Sequence, residues 1–200
     1  PSRSMPRSEA AAIFARLLAE KNGDTISTAA NTKFADIPAH AWYSGYVKYL
    51  SNNGITYGKS KTVFAPNDAI TRAEFTTMAV RFFDVYGDGD AEIMEQFSGF
   101  NDVSSGYWAA EYIKYAALHG WINGYGDGSF HADREINRAE VVTIVNRLLG
   151  READEDYIAD NLRKLNTFPD VSRKHWAYYA VMEAANAHTA VLGESESWSK

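Results

Sequence analysis

The 200-residue chain is 46% hydrophobic and 23% charged, the balance of a folded protein with a buried core rather than a disordered or fibrous one. Its 20 basic and 26 acidic residues leave a formal charge of −6, which excludes the electrostatic footprint of a nucleic-acid or anionic-membrane binder and requires any anionic ligand to be met by local positive charge. With no cysteine, disulfides, thiolate metal sites and cysteine nucleophiles are excluded, a usage compatible with an exported bacterial protein.

No apolar run approaches the roughly 20 residues of a membrane helix, and the stretch Pro1 to Met5 has no signal-peptide core; this is the profile of a cytosolic chain or of a piece of something larger. In chain order, Arg7 and Glu9 open a segment whose apolar residues Ala10, Ile13, Phe14, Leu17 and Leu18 have the spacing of an amphipathic helix. Pro6 is tolerated at that start but offers no side-chain acceptor as a cap. After a connector over 19–33 come Phe34, Asp36 and Ile37, then Trp42, Tyr46, Val47 and Leu50, predicting a second helix with the tryptophan on its packed side. A turn with Gly54, Tyr57, Gly58 and Phe64 leads to Ile70-Thr71-Arg72-Ala73-Glu74. Thr71 and Glu74 have capping-box spacing, and Phe75, Met78, Ala79, Phe82 and Phe83 predict a third amphipathic helix behind them.

The same order then returns. After a connector over 86–99, Phe100, Asp102 and Val103 precede Trp108, Tyr112, Ile113 and Ala116, and a glycine-dense turn from Gly120 to Phe130 leads to Ile136-Asn137-Arg138-Ala139-Glu140. The helix predicted there carries Val141, Ile144, Val145, Leu148 and Leu149. A further connector over 151–167 is expected to hold an extra helix. Phe168, Asp170 and Val171 introduce Trp176, Ala180, Val181 and Ala184, after which residues 188–198 show no glycine turn. The chain is thus three copies of one helical repeat, at intervals of 65 to 68 residues, in a frame that starts half-way through: a half-repeat over 1–33, repeats over 34–99 and 100–167, and a half-repeat over 168–200. In repeat register the end meets the beginning, so 168–200 is expected to pack on 1–33 and close a ring rather than an open solenoid.

Three arginines head three equivalent helices. Arg7, Arg72 and Arg138 stand where the helix dipole favours anions, so their recurrence asks for a reason. One reading is a carboxylate seat made of arginine and free helix N–H groups; the other is an ion pair with Glu74 or a neighbouring repeat's carboxylate that locks the ring. Trp42, Trp108 and Trp176 are expected to pack between helices with an edge reaching a ligand. Asp36, Asp102 and Asp170 fit turn capping better than binding of sugar hydroxyls. Gly124, Gly126 and Gly128 suit positive φ, and Arg16, Arg81 and Arg147, nine residues after each first arginine, are placed on a solvated or inter-helix face. The acidic run Asp84, Asp88, Asp90 and Glu92 does not match a calcium loop and reads as a solvated turn. The five histidines make no metal-ligand spacing, and no hydrolase or phosphate-loop motif occurs, which points away from an enzyme and calls for no cofactor.

The run F-x-D-V, then W-A, then G-Y-x-D-G-x-F over Gly124 to Phe130, then I-T-R-A-E leading an apolar helix, resembles the S-layer homology (SLH) family over essentially the whole chain. The resemblance implies an all-α, three-pronged pseudo-threefold trimer around a central helical bundle. It further implies an extracellular, non-catalytic module, fused to a larger exported protein and monomeric as a pseudo-trimer, that holds its protein on Gram-positive cell walls by binding secondary cell-wall polysaccharide, often through pyruvate-ketal sugars. The binding sites it implies lie between adjacent repeats at Arg72 and Arg138, and at Arg7 where Pro6 and Ser8 depart from the motif, with Gly58, Gly124 and Tyr125 from the turns. The site of Arg138 with the intact turn Gly124 to Phe130 is the expected principal one. An assembly module of a surface layer, pairing protein with protein, is the alternative.

Overall fold

The computed structural model describes residues 1–87, 97–191 and 197–199, and it is helical. Its elements are α1 (Arg7–Asn22), α2 (Ser44–Asn52), α3 (Arg72–Tyr86), α4 (Ala110–Leu118), α5 (Arg138–Leu148), α6 (Glu155–Asn161) with a following 3₁₀ turn (Leu162–Lys164), α7 (Tyr178–Ala185), and the strands β1 (Thr189–Val191) and β2 (Ser197–Ser199). The chain forms two compact units, one of residues 4–136 and one of residues 1–3 with 137–200.

In the larger unit, the faces foreseen from helical periodicity meet. Phe14 of α1 lies 5.3 Å from Phe75 and 5.0 Å from Phe82 of α3, and Leu18, Val47, Leu50, Met78 and Ile113 are buried with them. Equivalent residues of the three repeats are joined at the helix starts by a closed cycle of backbone hydrogen bonds. The N–H of Met5 donates to Ile136 O at 2.9 Å, that of Ile136 to Ile70 O at 3.0 Å, and that of Ile70 to Met5 O at 2.8 Å. All three side chains are buried, so each link is shielded from competing water. The first amides of α1 and α3, which have no partner within their own helix, follow the same rule. Arg7 N and Ser8 N donate to Asp68 O and Pro66 O, and Arg72 N and Ala73 N donate to Arg134 O and Ala132 O. The capping boxes at Thr71–Glu74 and Asn137–Glu140 both form, and Pro6 caps α1 without a side-chain bond.

In the smaller unit, the first amides of α5 are met in the same way, Arg138 N by Arg3 O and Ala139 N by Pro1 O. Asn146 of α5 donates its side-chain amide to Ala180 O of α7 at 2.9 Å. The extra helix expected in 151–167 is α6, capped by Asp154, whose carboxylate accepts from Tyr157 N. β1 (Thr189–Val191) and β2 (Ser197–Ser199) pair as an antiparallel ribbon, with Ala190 opposite Trp198. It carries Trp198 into a core with Ile158, Val171, Tyr178 and Met182, where the His188 ring stacks on it at 3.9 Å.

Two expectations are corrected here, and a third falls in part outside the described residues. The second helix of each repeat begins two residues after its tryptophan, so Trp42, Trp108 and Trp176 lie in the preceding turns and are 52%, 56% and 64% exposed rather than packed between helices. Periodicity alone had counted them into the helix, because a turn of similar pitch leads into it. Gly124 is not required for positive φ: only Gly128 of the three has it, and a Cβ at Gly124 would collide with the Phe100 ring. Of the acidic run, residues 88–92 lie outside the described residues. Replacing the α3 cap, Thr71→Ala, is expected to lower the stability of the protein by about 1 kcal/mol in urea unfolding.

Candidate functional site

Arg7 and Arg72 do not face solvent. Each reaches from the first turn of its helix to the backbone of a neighbouring repeat, and their guanidinium exposure is 3% and 5%. Arg7 Nε donates to Phe64 O at 2.8 Å and lies over the Phe64 ring at 5.0 Å, while its Nη1 pairs with Glu74 at 2.9 Å. Arg72 Nε repeats the contact at Phe130 O, 2.9 Å, over the Phe130 ring at 4.4 Å, and its Nη2 donates to Asn123 O at 3.2 Å. A planar fork that bonds along its edge and stacks on its face suits arginine and not lysine. The helix N–H groups proposed as a carboxylate seat are also taken, by the carbonyls and the Thr71 hydroxyl named above. Arg7 thus makes the ion pair of the locking reading, with Glu74, whereas Arg72 is held by the backbone carbonyls of Phe130 and Asn123.

The conserved position of the aspartates within the repeat has a related cause. Asp36 accepts from Phe64 N and Ala65 N at 2.9 and 2.6 Å, and Asp102 from Phe130 N and His131 N at 2.7 Å each. Ala65 and His131 are the two non-glycine residues with positive φ among those described, a conformation that costs energy unless held. The aspartates hold it from 28 and 29 residues away, so they secure a distant loop rather than cap their own turn. Burial raises the Asp102 pKa, but hydrogen bonds from Phe130 and His131 outweigh it and leave the carboxyl below the usual 3.8. In the smaller unit Asp170 instead pairs with the Pro1 ammonium at 3.2 Å, and with Arg3, Arg138 and exposed Phe168 it lines a cavity of about 530 Å³.

The turn from Gly124 to Phe130 was expected to serve Arg138; the arginine brought to it is Arg72, 5.2 Å from the centre of the Tyr125 ring. Nearby, His131 Nε2 lies 3.0 Å from Ser129 Oγ, which imitates a nucleophile and base. Asp127 Oδ1 is 2.6 Å from the same hydroxyl. A carboxylate only accepts, so the Ser129 proton goes to Asp127, leaving His131 Nε2 as donor and not base.

In the larger unit, one small cleft of about 90 Å³ gathers both arginine and aromatic side chains. It is lined by Arg7, Thr56, Tyr57, Gly58, Glu74, Thr77, Met78, Arg81 and Trp108. Tyr57 and Trp108 are 55% and 56% exposed, two flat apolar faces at its rim. Arg81, half-buried, lies over the rings of Tyr57 at 4.7 Å and Tyr112 at 5.0 Å and donates to the Tyr112 hydroxyl at 3.1 Å. Gly58 is demanded by packing and by φ of 80°, since a Cβ there would strike the Phe34 ring. Arg7 pairs with Glu74, so among the lining residues Arg81 is the other cation, and Asp84, one turn further along α3, interacts with it electrostatically. Arg81 was passed over in the sequence, where its recurrence with Arg16 was the available signal; Arg16 meets the Tyr46 hydroxyl in the same way. Among the described residues, no cluster of three or more side chains suits a metal and no helix is long and apolar enough to cross a membrane.

A sequence model of the family described as S-layer homology domain matches residues 33–76 and 99–142, spanning both copies of the tryptophan turn and the arginine-headed helix start. The chain belongs to the S-layer homology family. It is similar to Cell surface glycoprotein 1 of Acetivibrio thermocellus, 32% identical over 98% of this chain and 8% of that protein. It also resembles the Cellulosome-anchoring protein of the same organism, 29% identical over 98% of this chain and 41% of that protein. The Surface-layer 125 kDa protein of Lysinibacillus sphaericus is 31% identical over 74% of this chain and 12% of that protein. The chain therefore spans less than half the length of these relatives, which are proteins of the cell surface and its S-layer. SLH modules are typically the non-catalytic wall-anchoring parts of such proteins, some of which carry fused enzyme domains.

Two results are expected. Arg7→Ala lowers unfolding stability by roughly 2–3 kcal/mol, less than a fully buried pair because Glu74 is part-exposed. Asp102→Asn destabilises at neutral pH. Because the folded-state pKa of Asp102 is depressed, its contribution is complete above about 4 and is lost as pH falls through the folded value, so the stability gap between the two proteins closes in acid. Urea titrations from pH 7 down to 2.5 measure it.

Proposed function

We propose that this chain is a non-covalent cell-wall anchoring module that binds secondary cell-wall polysaccharide through an anionic sugar, in an extracellular, surface-layer setting and as part of a larger exported protein. The observation that carries the reading is the cleft at Arg81: a guanidinium held over the rings of Tyr57 and Tyr112, with exposed Tyr57 and Trp108 at the rim. Aromatic rings stack on the apolar face of a sugar while the guanidinium pairs with a carboxylate, such as that of a pyruvate ketal. The family membership and the cellulosome-anchoring relative support the same reading. The hydrogen-bond cycle through Met5, Ile70 and Ile136 joins equivalent positions of the three repeats, which supports the repeat organisation of the module.

The experiment is co-sedimentation with Gram-positive cell-wall sacculi, native and stripped of secondary polymer. Binding to native sacculi alone is expected; equal binding to both, or oligomers that form without glycan, would favour the protein-assembly reading. Arg81→Ala is expected to weaken binding to native sacculi by about 1.5–3 kcal/mol, the scale of a lost charged hydrogen bond, with the helical signal unchanged.

A further inference from the structure

The cleft at Arg81 contains a polar atom that the protein does not use. Thr77 sits on α3, one turn after Glu74 and four residues before Arg81. It is 3% exposed, it lines the cleft, and its hydroxyl oxygen, itself shielded from solvent, has no hydrogen-bond partner among the described residues. A buried hydroxyl left in this state costs about 1–3 kcal/mol, and a helical threonine ordinarily escapes the cost by donating to the carbonyl four residues back. The repeat supplies the comparison. At the equivalent position of α5, Thr143 takes that escape, donating to Ala139 O at 2.9 Å; in α1 the position is Ala12, with no hydroxyl at all. Thr77 keeps its hydroxyl and leaves it unspent beside Arg81 and Trp108.

We infer that Thr77 is a specificity-determining residue of this cleft, hydrogen-bonding an oxygen-bearing substituent of the sugar whose carboxylate Arg81 receives. The inference rests on the wall-polysaccharide reading and deepens it. At about 90 Å³ the cleft is small beside the ~300–1,000 Å³ of sites that engulf a whole ligand, so it admits a substituent and the edge of one ring while the rest of the polymer stays outside. The hydroxyl donates to a carbonyl or carboxylate oxygen, or accepts from a sugar hydroxyl. A site built to satisfy its own buried polar group rejects ligands that lack the matching atom far more strongly than an apolar wall can. Ala12 and the back-bonded Thr143 would not discriminate in this way, which makes the three repeats unequal readers of one polymer.

The test uses the whole protein and native sacculi as the probe, with three variants. Thr77→Val keeps the shape and removes the hydroxyl, and is expected to weaken binding about five- to tenfold while the unfolding midpoint holds or rises, because no protein hydrogen bond is lost. Thr77→Ser restores a hydroxyl and is expected to bind within about twofold of the parent, a difference too small to register as a lost hydrogen bond. Thr76→Val is the control: Thr76 is likewise buried with an unpartnered hydroxyl but does not line the cleft, so binding stays unchanged. Equal binding by Thr77→Val and the parent overturns the inference and leaves the anchoring reading standing. A fall in the unfolding midpoint of Thr77→Val that tracks its loss of binding overturns it in favour of a packing role. Failure of the parent itself to bind native sacculi removes the anchoring reading and this inference together.

Discussion

The backbone cycle through Met5, Ile70 and Ile136 is the constraint on which the rest of the larger unit depends. Each of these residues stands immediately before the cap of an arginine-headed helix, and each donates to one repeat while accepting from the other. A cycle of this kind fixes three helix starts at once, because moving one breaks two bonds that are buried and cannot be replaced by water. The arginines extend the same logic outward. Arg7 and Arg72 each grip the carbonyl of the phenylalanine that closes the neighbouring loop, and Asp36 and Asp102 accept from the N–H of the residue after it, Ala65 and His131. One peptide unit is thereby clamped by a cation and an anion that come from different parts of the sequence.

That arrangement explains why the most conspicuous motif residues are structural here. An arginine at a helix N-terminus opposes the dipole, and the cost is offset by a carbonyl acceptor, a ring to stack on and, for Arg7, a carboxylate. The same contacts close off the helix amides, so no anion can use them. Two turns along the helix, the Arg81 guanidinium is half-buried among aromatic rings and lines a cleft, which is why the proposed function is placed there.

Much of the helical layout was legible in the sequence, because periodicity and capping are local. The boxes at Thr71 and Asn137 set the starts of α3 and α5, and the apolar spacing chose their buried faces. What was not legible depends on partners far away in sequence. The burial of Arg72 follows from Phe130, 58 residues on, and the role of Asp36 from Ala65. The tryptophans misled for a local reason: at i and i+4 from Tyr46 or Tyr112 they satisfy helical spacing, yet the helix begins after them. The pairing of β1 with β2 stands where the other repeats have a glycine turn, without any motif of its own, and Trp198, which stands in register with Phe64 and Phe130, is carried instead into the core of α6 and α7, where Asp154 accepts from its N–H.

The charge balance of the cleft decides what it can select. An acidic protein of net charge −6 repels a polyanionic wall polymer at long range, and at physiological salt that repulsion is screened beyond about 8 Å. Attraction must then be short-ranged and local. Among the residues that line the cleft, Arg7 pairs with Glu74 and Arg81 is the other cation, with Tyr57 and Trp108 at the rim, so on the proposed reading one carboxylate is received at Arg81 and a second would meet Glu74. A site of this kind is weak singly and discriminates by what else the sugar offers, and firm attachment then comes from several such contacts along one polymer chain. Anchoring of that type releases one contact at a time, which holds a surface protein in place while the wall beneath it grows.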